Sequence, residues 1–112
     1  ASKADRVKAE YPCRGLTAGK GDKKRIDFVV YREDAQFAIE LKWAKSNTLN
    51  IKSDLEKLNW FKKENDGADG FLIVFGKEGI ISGLSIDGAR ESGEAVCLPL
   101  GKTNYGCRSW KA

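Results

Sequence analysis

The sequence predicts an α/β domain, a mixed β-sheet flanked by helices, and three stretches carry that expectation. Residues 25–45 read as two strands joined by a tight turn, because Arg25–Arg32 and Gln36–Trp43 are both rich in β-branched and aromatic side chains around a polar Glu33-Asp34-Ala35. Apolar residues at 51, 55, 58 and 61 form a helical stripe. Phe71-Leu72-Ile73-Val74-Phe75 is an unbroken apolar run between Gly70 and Gly76, which suits a strand covered on both faces.

Taken in order, Ser2–Tyr11 has helix-forming composition, with Val7 and Tyr11 four apart on one face and Glu10 on the same segment. Pro12 ends it or begins the next element, and Cys13–Ala18 reads as a short strand. Gly19-Lys20-Gly21-Asp22-Lys23-Lys24-Arg25 then joins flexible backbone to basic side chains, which suits either phosphate contact or plain solvation. It is not a P-loop: Gly15–Lys20 is one residue short of that spacing, and Gly21 stands where a metal-binding Ser or Thr belongs.

Beyond the hairpin, residues 46–50 break the strand pattern. Ser53-Asp54-Leu55-Glu56 reads as a capping box, Lys62 and Lys63 suit a helix C-terminus, and Gly67 can stop the helix. Lys52, Lys57, Asn59 and Trp60 lie at or off the edge of the apolar stripe. Ile80–Ile86 and Glu94–Leu100 read as further short strands, the second an edge strand because of Pro99. Residues 101–112 show no clear pattern. Tyr105 and Trp110 beside Lys102, Arg108 and Lys111 suit either base stacking or covering the sheet.

The length of 112 residues suits a single domain over 1–112, and no apolar run approaches the ~20 residues that span a bilayer. No membrane partner is expected. Cys13, Cys97 and Cys107 are odd in number and scattered, which fits free thiols and a cytoplasmic setting better than a disulfide framework. The absence of histidine excludes Ser-His-Asp and Cys-His catalysis and His-ligated zinc deamination, so any chemistry rests on Asp, Glu, Lys, Tyr or Cys. Residues 1–32 hold nine basic and four acidic side chains and residues 101–112 three basic and none acidic, so both ends are basic around an acidic middle. Such a distribution suits a polyanion or ordinary solubility.

Three charges interrupt the hairpin: Asp27, Glu40 and Lys42. Alternation puts Phe37, Ile39, Leu41 and Trp43 on one face of the second strand and Ala38, Glu40 and Lys42 on the other. On the first strand it sets Ile26, Phe28 and Val30 against Asp27 and Val29. A turn centred on Glu33-Asp34 sets Asp27 opposite Glu40, and one centred on Asp34-Ala35 sets it opposite Lys42. Either gathers the three charges within roughly 5–8 Å on one face. Charge in a sheet is costly unless paired or bound to metal. Two carboxylates supply hard oxygens for Mg²⁺ or Mn²⁺, and an ammonium beside them can orient water or stabilise developing charge.

The pattern D-x12-E-x-K on a hairpin, followed by an amphipathic helix and an apolar strand, resembles the PD-(D/E)xK nuclease superfamily over roughly residues 5–76. Ile26 stands where that pattern often has proline. The resemblance implies a restriction-endonuclease-like α-β-β-β-α-β core with extra C-terminal strands. It also implies a Mg²⁺- or Mn²⁺-dependent endonuclease cleaving phosphodiesters, chiefly in DNA. On that reading Asp27 and Glu40 bind the ion with the main-chain carbonyl of Leu41 and, in some members, a Glu placed as Glu10 is. Lys42 completes the catalytic set, while Lys20, Lys23, Lys24 and Arg25 meet the nucleic acid; a homodimer is a further expectation. The alternative on the same fold is an inactive module that binds nucleic acid or a protein partner and keeps the charges as a structural cluster.

Overall fold

A computed structural model describes residues 6–16 and 24–112. The described chain is an α/β protein built on one mixed seven-stranded sheet and two helices. The strands are β1 (Arg6–Pro12), β2 (Arg25–Arg32), β3 (Ala35–Ala44), β4 (Asp69–Lys77), β5 (Arg90–Glu91), β6 (Val96–Leu100) and β7 (Thr103–Lys111). Helix α1 (Lys52–Glu64) connects β3 to β4, and the single turn α2 (Glu78–Ile81) follows β4. The order across the sheet is β1-β2-β3-β4-β7, with β5 and β6 both pairing to the outer edge of β7. Only the β3–β4 pair is parallel, as expected where a helix carries the chain from one strand to the next.

The hairpin forms as the sequence indicates. Arg32 pairs with Ala35, so the turn is the two-residue Glu33-Asp34 and the ladder runs back to Phe28 opposite Ile39. Its continuation sets Asp27 opposite Glu40, the first of the two expected registers. The stripe of α1 also holds, with Leu58 and Phe61 fully buried. The capping box does not. The N-cap is Ile51 and makes no side-chain cap bond; the Lys52 N–H finds Asn50 Oδ1 at 3.3 Å instead. Asp54 is turned down into the helix–sheet seam, where its carboxylate serves another partner.

Several elements differ from the sequence reading. The described part of Ser2–Tyr11 is strand β1, not helix: Val7, Ala9 and Tyr11 pair with Val30, Phe28 and Ile26. The pairing with β2 outweighs the helix propensity of its Ala, Lys and Glu. Cys13–Leu16 is a turn closed by Leu16 N–H to Cys13 C=O at 3.2 Å, not a strand. The stretch 80–86 begins as α2 and continues as loop, because wrapping one turn lets Ile81 plug the space above two glycines. Residues 103–111 form β7, nine residues long and hydrogen-bonded on both sides. The Pro99 strand is a sheet edge as expected, pairing with β7 alone.

Both helices lie on one face of the sheet. A Cβ on Gly70 would meet Leu58 of α1, a Cβ on Gly76 would meet Ile81 of α2, and these two glycines share a face of β4. Leu72 and Val74, on that same face, are fully buried, whereas Phe71, Ile73 and Phe75 are half-exposed. The apolar strand is therefore covered by helices on one side only, against the expectation of cover on both; the sequence run could not show this because both faces of β4 are apolar. The core lies between α1 and the sheet, where Leu58 and Phe61 meet Ile26, Val29, Ala38 and Leu72, and Tyr11 packs edge-on against Phe61 at 5.7 Å.

The close approach at Gly76 leads to an experiment. A Cβ there would lie 2.7 Å from the Ala44 carbonyl oxygen, a backbone atom of the neighbouring strand. Gly76→Ala is expected to destabilise the fold by about 1–3 kcal/mol in urea unfolding. Gly79→Ala, with nothing within 4 Å, should be neutral or stabilising by up to ~1 kcal/mol.

Candidate active site

The regular ladder between β2 and β3 stops one step before Asp27 and Glu40. On the other side of β2, the pairing with β1 lapses at the same level, where Glu10 has φ 53°. Alternation breaks here too: Ile26 and Val29 are both fully buried although three residues apart, which strict alternation would forbid. Side chains replace the missing ladder bonds. The Asp27 N–H donates to Glu40 Oε2 at 2.7 Å, and the Leu41 N–H donates to Asp27 Oδ2 at 2.8 Å. The two carboxylates are thus cross-tied through each other's strand, each oriented by a main-chain donor.

Glu40 is only 1% exposed, and α1 lies over it. An ionised carboxylate sealed this way needs a cation. Lys57 supplies it, with Nζ 2.5 Å from Glu40 Oε1 and 2.9 Å from the Arg25 carbonyl oxygen. Lys42, on the same face of β3 as Glu40, reaches Asp54 Oδ2 at 2.8 Å. Asp54 and Lys57 are three apart on α1 and so lie on one side of the helix. The result is a helix–sheet seam of two ion pairs, Glu40–Lys57 and Lys42–Asp54, with the Asp27 carboxylate beside Glu40.

Burial is the strongest influence on Glu40 and raises its pKa from the ordinary 4.5 to about 7; the hydrogen bonds from Lys57 and the Asp27 N–H oppose it, and the Asp54 and Asp27 carboxyls reinforce it. For Lys57, burial pulls its pKa down, but the hydrogen bond and charge of Glu40, with Asp54 and Asp27 beyond, win and raise it. The two groups share one seam, and the direction that stands for both is a site that holds its protons more tightly than free side chains do.

The other expected site residues fall as follows. Glu10 is exposed on a strand, not a helix, at the level of Asp27. At Leu41 it is the N–H that reaches the cluster, by donating to Asp27. Lys24 is half-exposed and lies 3.5 Å from Glu56, and Arg25 is exposed at the start of β2. Lys20 and Lys23 lie outside the described residues. Among the described residues no three His, Cys, Asp and Glu side chains are grouped so as to hold a metal ion. Trp110 is buried beneath the Arg108 guanidinium at 4.7 Å, and Arg108 is itself engaged by Glu91 and the Ile81 carbonyl, so this pair covers the sheet. None of the three cysteines is in a disulfide bond. No described helix is long and apolar enough to cross a membrane. A groove of about 850 Å³ runs along the outer side of α1 past Leu55, Asn59 and Ile86, and no member of the charged seam lines it.

Asp54 and Lys57 are the residues that sequence reasoning underused. Asp54 matched a capping signature, and Lys57 was one of four residues beside the stripe. The signal that singles them out is that 54, 58 and 61 continue the buried helical face, so a carboxylate at 54 requires a partner beneath the helix.

Comparisons with protein-family models, curated proteins and solved structures find no match to this chain.

Two outcomes follow from the seam. Glu40 takes up its proton at a higher pH in the folded chain than in the unfolded one. Its contribution to stability is therefore complete below the ordinary carboxylate range and is lost as pH rises through about 7. Urea unfolding should show stability falling by on the order of 2–3 kcal/mol from pH 5 to pH 8, and Glu40→Gln should flatten that slope. Lys57→Met leaves Glu40 without its cation and should cost ~3 kcal/mol or more at pH 8 but less at pH 5, where the carboxyl can be protonated instead.

Proposed function

We propose that this chain is a metal-dependent nuclease, hydrolysing phosphodiester bonds of DNA at the Asp27–Glu40 pair. The observation that carries the reading is the cross-tied geometry of these two carboxylates, where paired strands splay and side chains take over from the ladder. Strand ends that exchange ladder bonds for oriented carboxylates hold those groups rigidly on the sheet rather than on a loop.

The donor chemistry fits a hard divalent cation. Both groups are carboxylates, and the field at Glu40 already draws a cation, the Lys57 ammonium, to contact distance. Asp27 and Glu40 would hold Mg²⁺ or Mn²⁺ together with the main-chain carbonyl of Leu41, the residue whose N–H orients Asp27. The ion would supply a bound water of lowered pKa and neutralise charge on a phosphate oxygen. Hydrolysis of a phosphodiester would add a water oxygen to phosphorus and break the bond to one sugar oxygen, which would leave with a proton. Lys42, aimed by Asp54, would position the water or a non-bridging phosphate oxygen. Lys24 and Arg25, with Lys20 and Lys23 on the preceding loop, suit contact with the backbone phosphates. Three cysteines outside any disulfide suit a reducing compartment such as the cytoplasm.

One observation favours a second reading, a non-cleaving module that binds nucleic acid or a protein. Both buried acids already have an ammonium, Glu40 with Lys57 and Asp54 with Lys42, so the seam is electrically satisfied without a ligand. Cleavage of supercoiled and branched DNA in Mg²⁺ separates the two. The nuclease reading expects Mg²⁺-dependent strand cleavage, lost by at least about a hundredfold in Asp27→Asn and Glu40→Gln, and reduced less in Lys42→Ala. Equal behaviour of wild type and Glu40→Ala would leave the binding reading standing. Calorimetric titration with Mn²⁺ should show heat of binding in wild type and none in Glu40→Ala.

A further inference from the structure

The face of the sheet opposite the helices is apolar and has no cover among the described residues. Strand register places the exposed large hydrophobics there: Val7 on β1, Leu41 and Trp43 on β3, and Val96, Leu98 and Leu100 on β6. Between them lie Phe37 and Phe71, with ring centroids 6.0 Å apart, and Trp43 against Tyr105 at 5.9 Å. An uninterrupted apolar surface running from one edge of a sheet to the other is far beyond the scattered exposed hydrophobics of an ordinary monomer.

We propose that two copies of this chain pack face to face through this surface, forming a four-layer helix–sheet–sheet–helix dimer. Two observations select a second copy as the occupant. First, the area matches. Six strands side by side at ~4.8 Å, five to ten residues long at ~3.3 Å per residue, give a face of very roughly 800 Å², which is about what each partner contributes to a standard stable interface. The molecule is 23 Å thick against 42 and 41 Å in its other dimensions, so this broad face is one of its two largest surfaces. Second, the charge distribution suits self-association. The middle of the face carries no charged side chain, and its charges sit at the rim, where Asp69 and Lys111 pair at 3.3 Å. A chain of net charge +4 can therefore meet its copy there without opposing like charges at the centre, whereas a polyanion would find no cation there.

Aligned sheets pack about 10 Å apart with strands near −30°, and aromatic side chains of the kind present here fill that spacing. The charged seam lies on the helix side, so each copy keeps its seam on an outer surface, and the proposal stands independently of whether the seam cleaves DNA.

Sedimentation velocity on the full chain tests it. Wild type is expected at twice the chain mass in the micromolar range. Leu41→Lys/Trp43→Lys, at positions 40% and 53% exposed in a single copy, should sediment at one chain mass with an unchanged far-ultraviolet circular dichroism spectrum. A wild type at one chain mass up to high concentration overturns the proposal, as does a dimer that persists in the double variant. Should that variant lose its fold, alkylation of the wild type decides. Cys107 lies on the bare face and Cys97 on the other. Cys107 should react several-fold more slowly as concentration rises while Cys97 keeps a constant rate; a Cys107 rate independent of concentration overturns the proposal. So does a one-chain wild type that cosediments with phosphatidylcholine vesicles, which would assign the face to a lipid surface.

Discussion

A carboxylate sealed under a helix must keep either a counter-ion or a proton, and Glu40 is placed so that both are within reach. Lys57 lies at contact distance, and burial lifts the acid toward neutrality. Much of the architecture follows from this requirement. Lys57 must come from α1, so α1 must cross the sheet at the level of Glu40. Asp54, one turn earlier on the same side, then meets Lys42 two residues further along β3. The seam is consequently a matched pair of ion pairs that fixes the helix both along and across the strands. Such a network contributes less to stability than its Coulomb energy suggests, because desolvation offsets most of it. What it does specify is position, since a helix displaced by one turn would leave charged groups opposite apolar ones.

The hairpin and α1 were legible in the sequence because their signals are local. A two-residue polar turn and a period-two pattern need no knowledge of the rest of the chain, and neither does an apolar stripe at 55, 58 and 61. The elements that were misread owe their state to distant partners. β1 has the composition of a helix and is held extended by β2. β7 contains Asn104, Gly106 and Arg108, which hide its alternation, yet β4 pairs with it over 105–111 and β6 over 103–107. In the 80–86 stretch Ile80 and Ile81 favour a strand on propensity, but the glycines at 76 and 106 leave a hollow that only a helical turn lets Ile81 enter. At the site, Asp27, Glu40 and Lys42 were recoverable from alternation. Asp54 was not, because a carboxylate in the first turn of a helix satisfies a capping pattern and a buried ion pair equally well.

The sheet divides two kinds of chemistry. Its helix side carries the core and the charged seam; its other side is aromatic and aliphatic and lacks helices. The division is written into alternate residues of β3, where Ala38, Glu40, Lys42 and Ala44 face the helices and Phe37, Ile39, Leu41 and Trp43 face away. Few segments in the molecule combine two requirements so closely: every residue from 37 to 44 is committed to one face or the other.

That commitment makes the length of the Glu33-Asp34 turn as important as any side chain. One codon inserted there would rotate the register of β3 by a single step, bringing Trp43 under α1 and Glu40 out among the phenylalanines, while leaving every amino acid of the strand unaltered. Residues 45–51, which join β3 to α1 with no ladder to keep, can absorb such additions. Insertions and deletions in descendants of this chain are therefore tolerable in the second connection and ruinous in the first, although neither contains a residue of the seam.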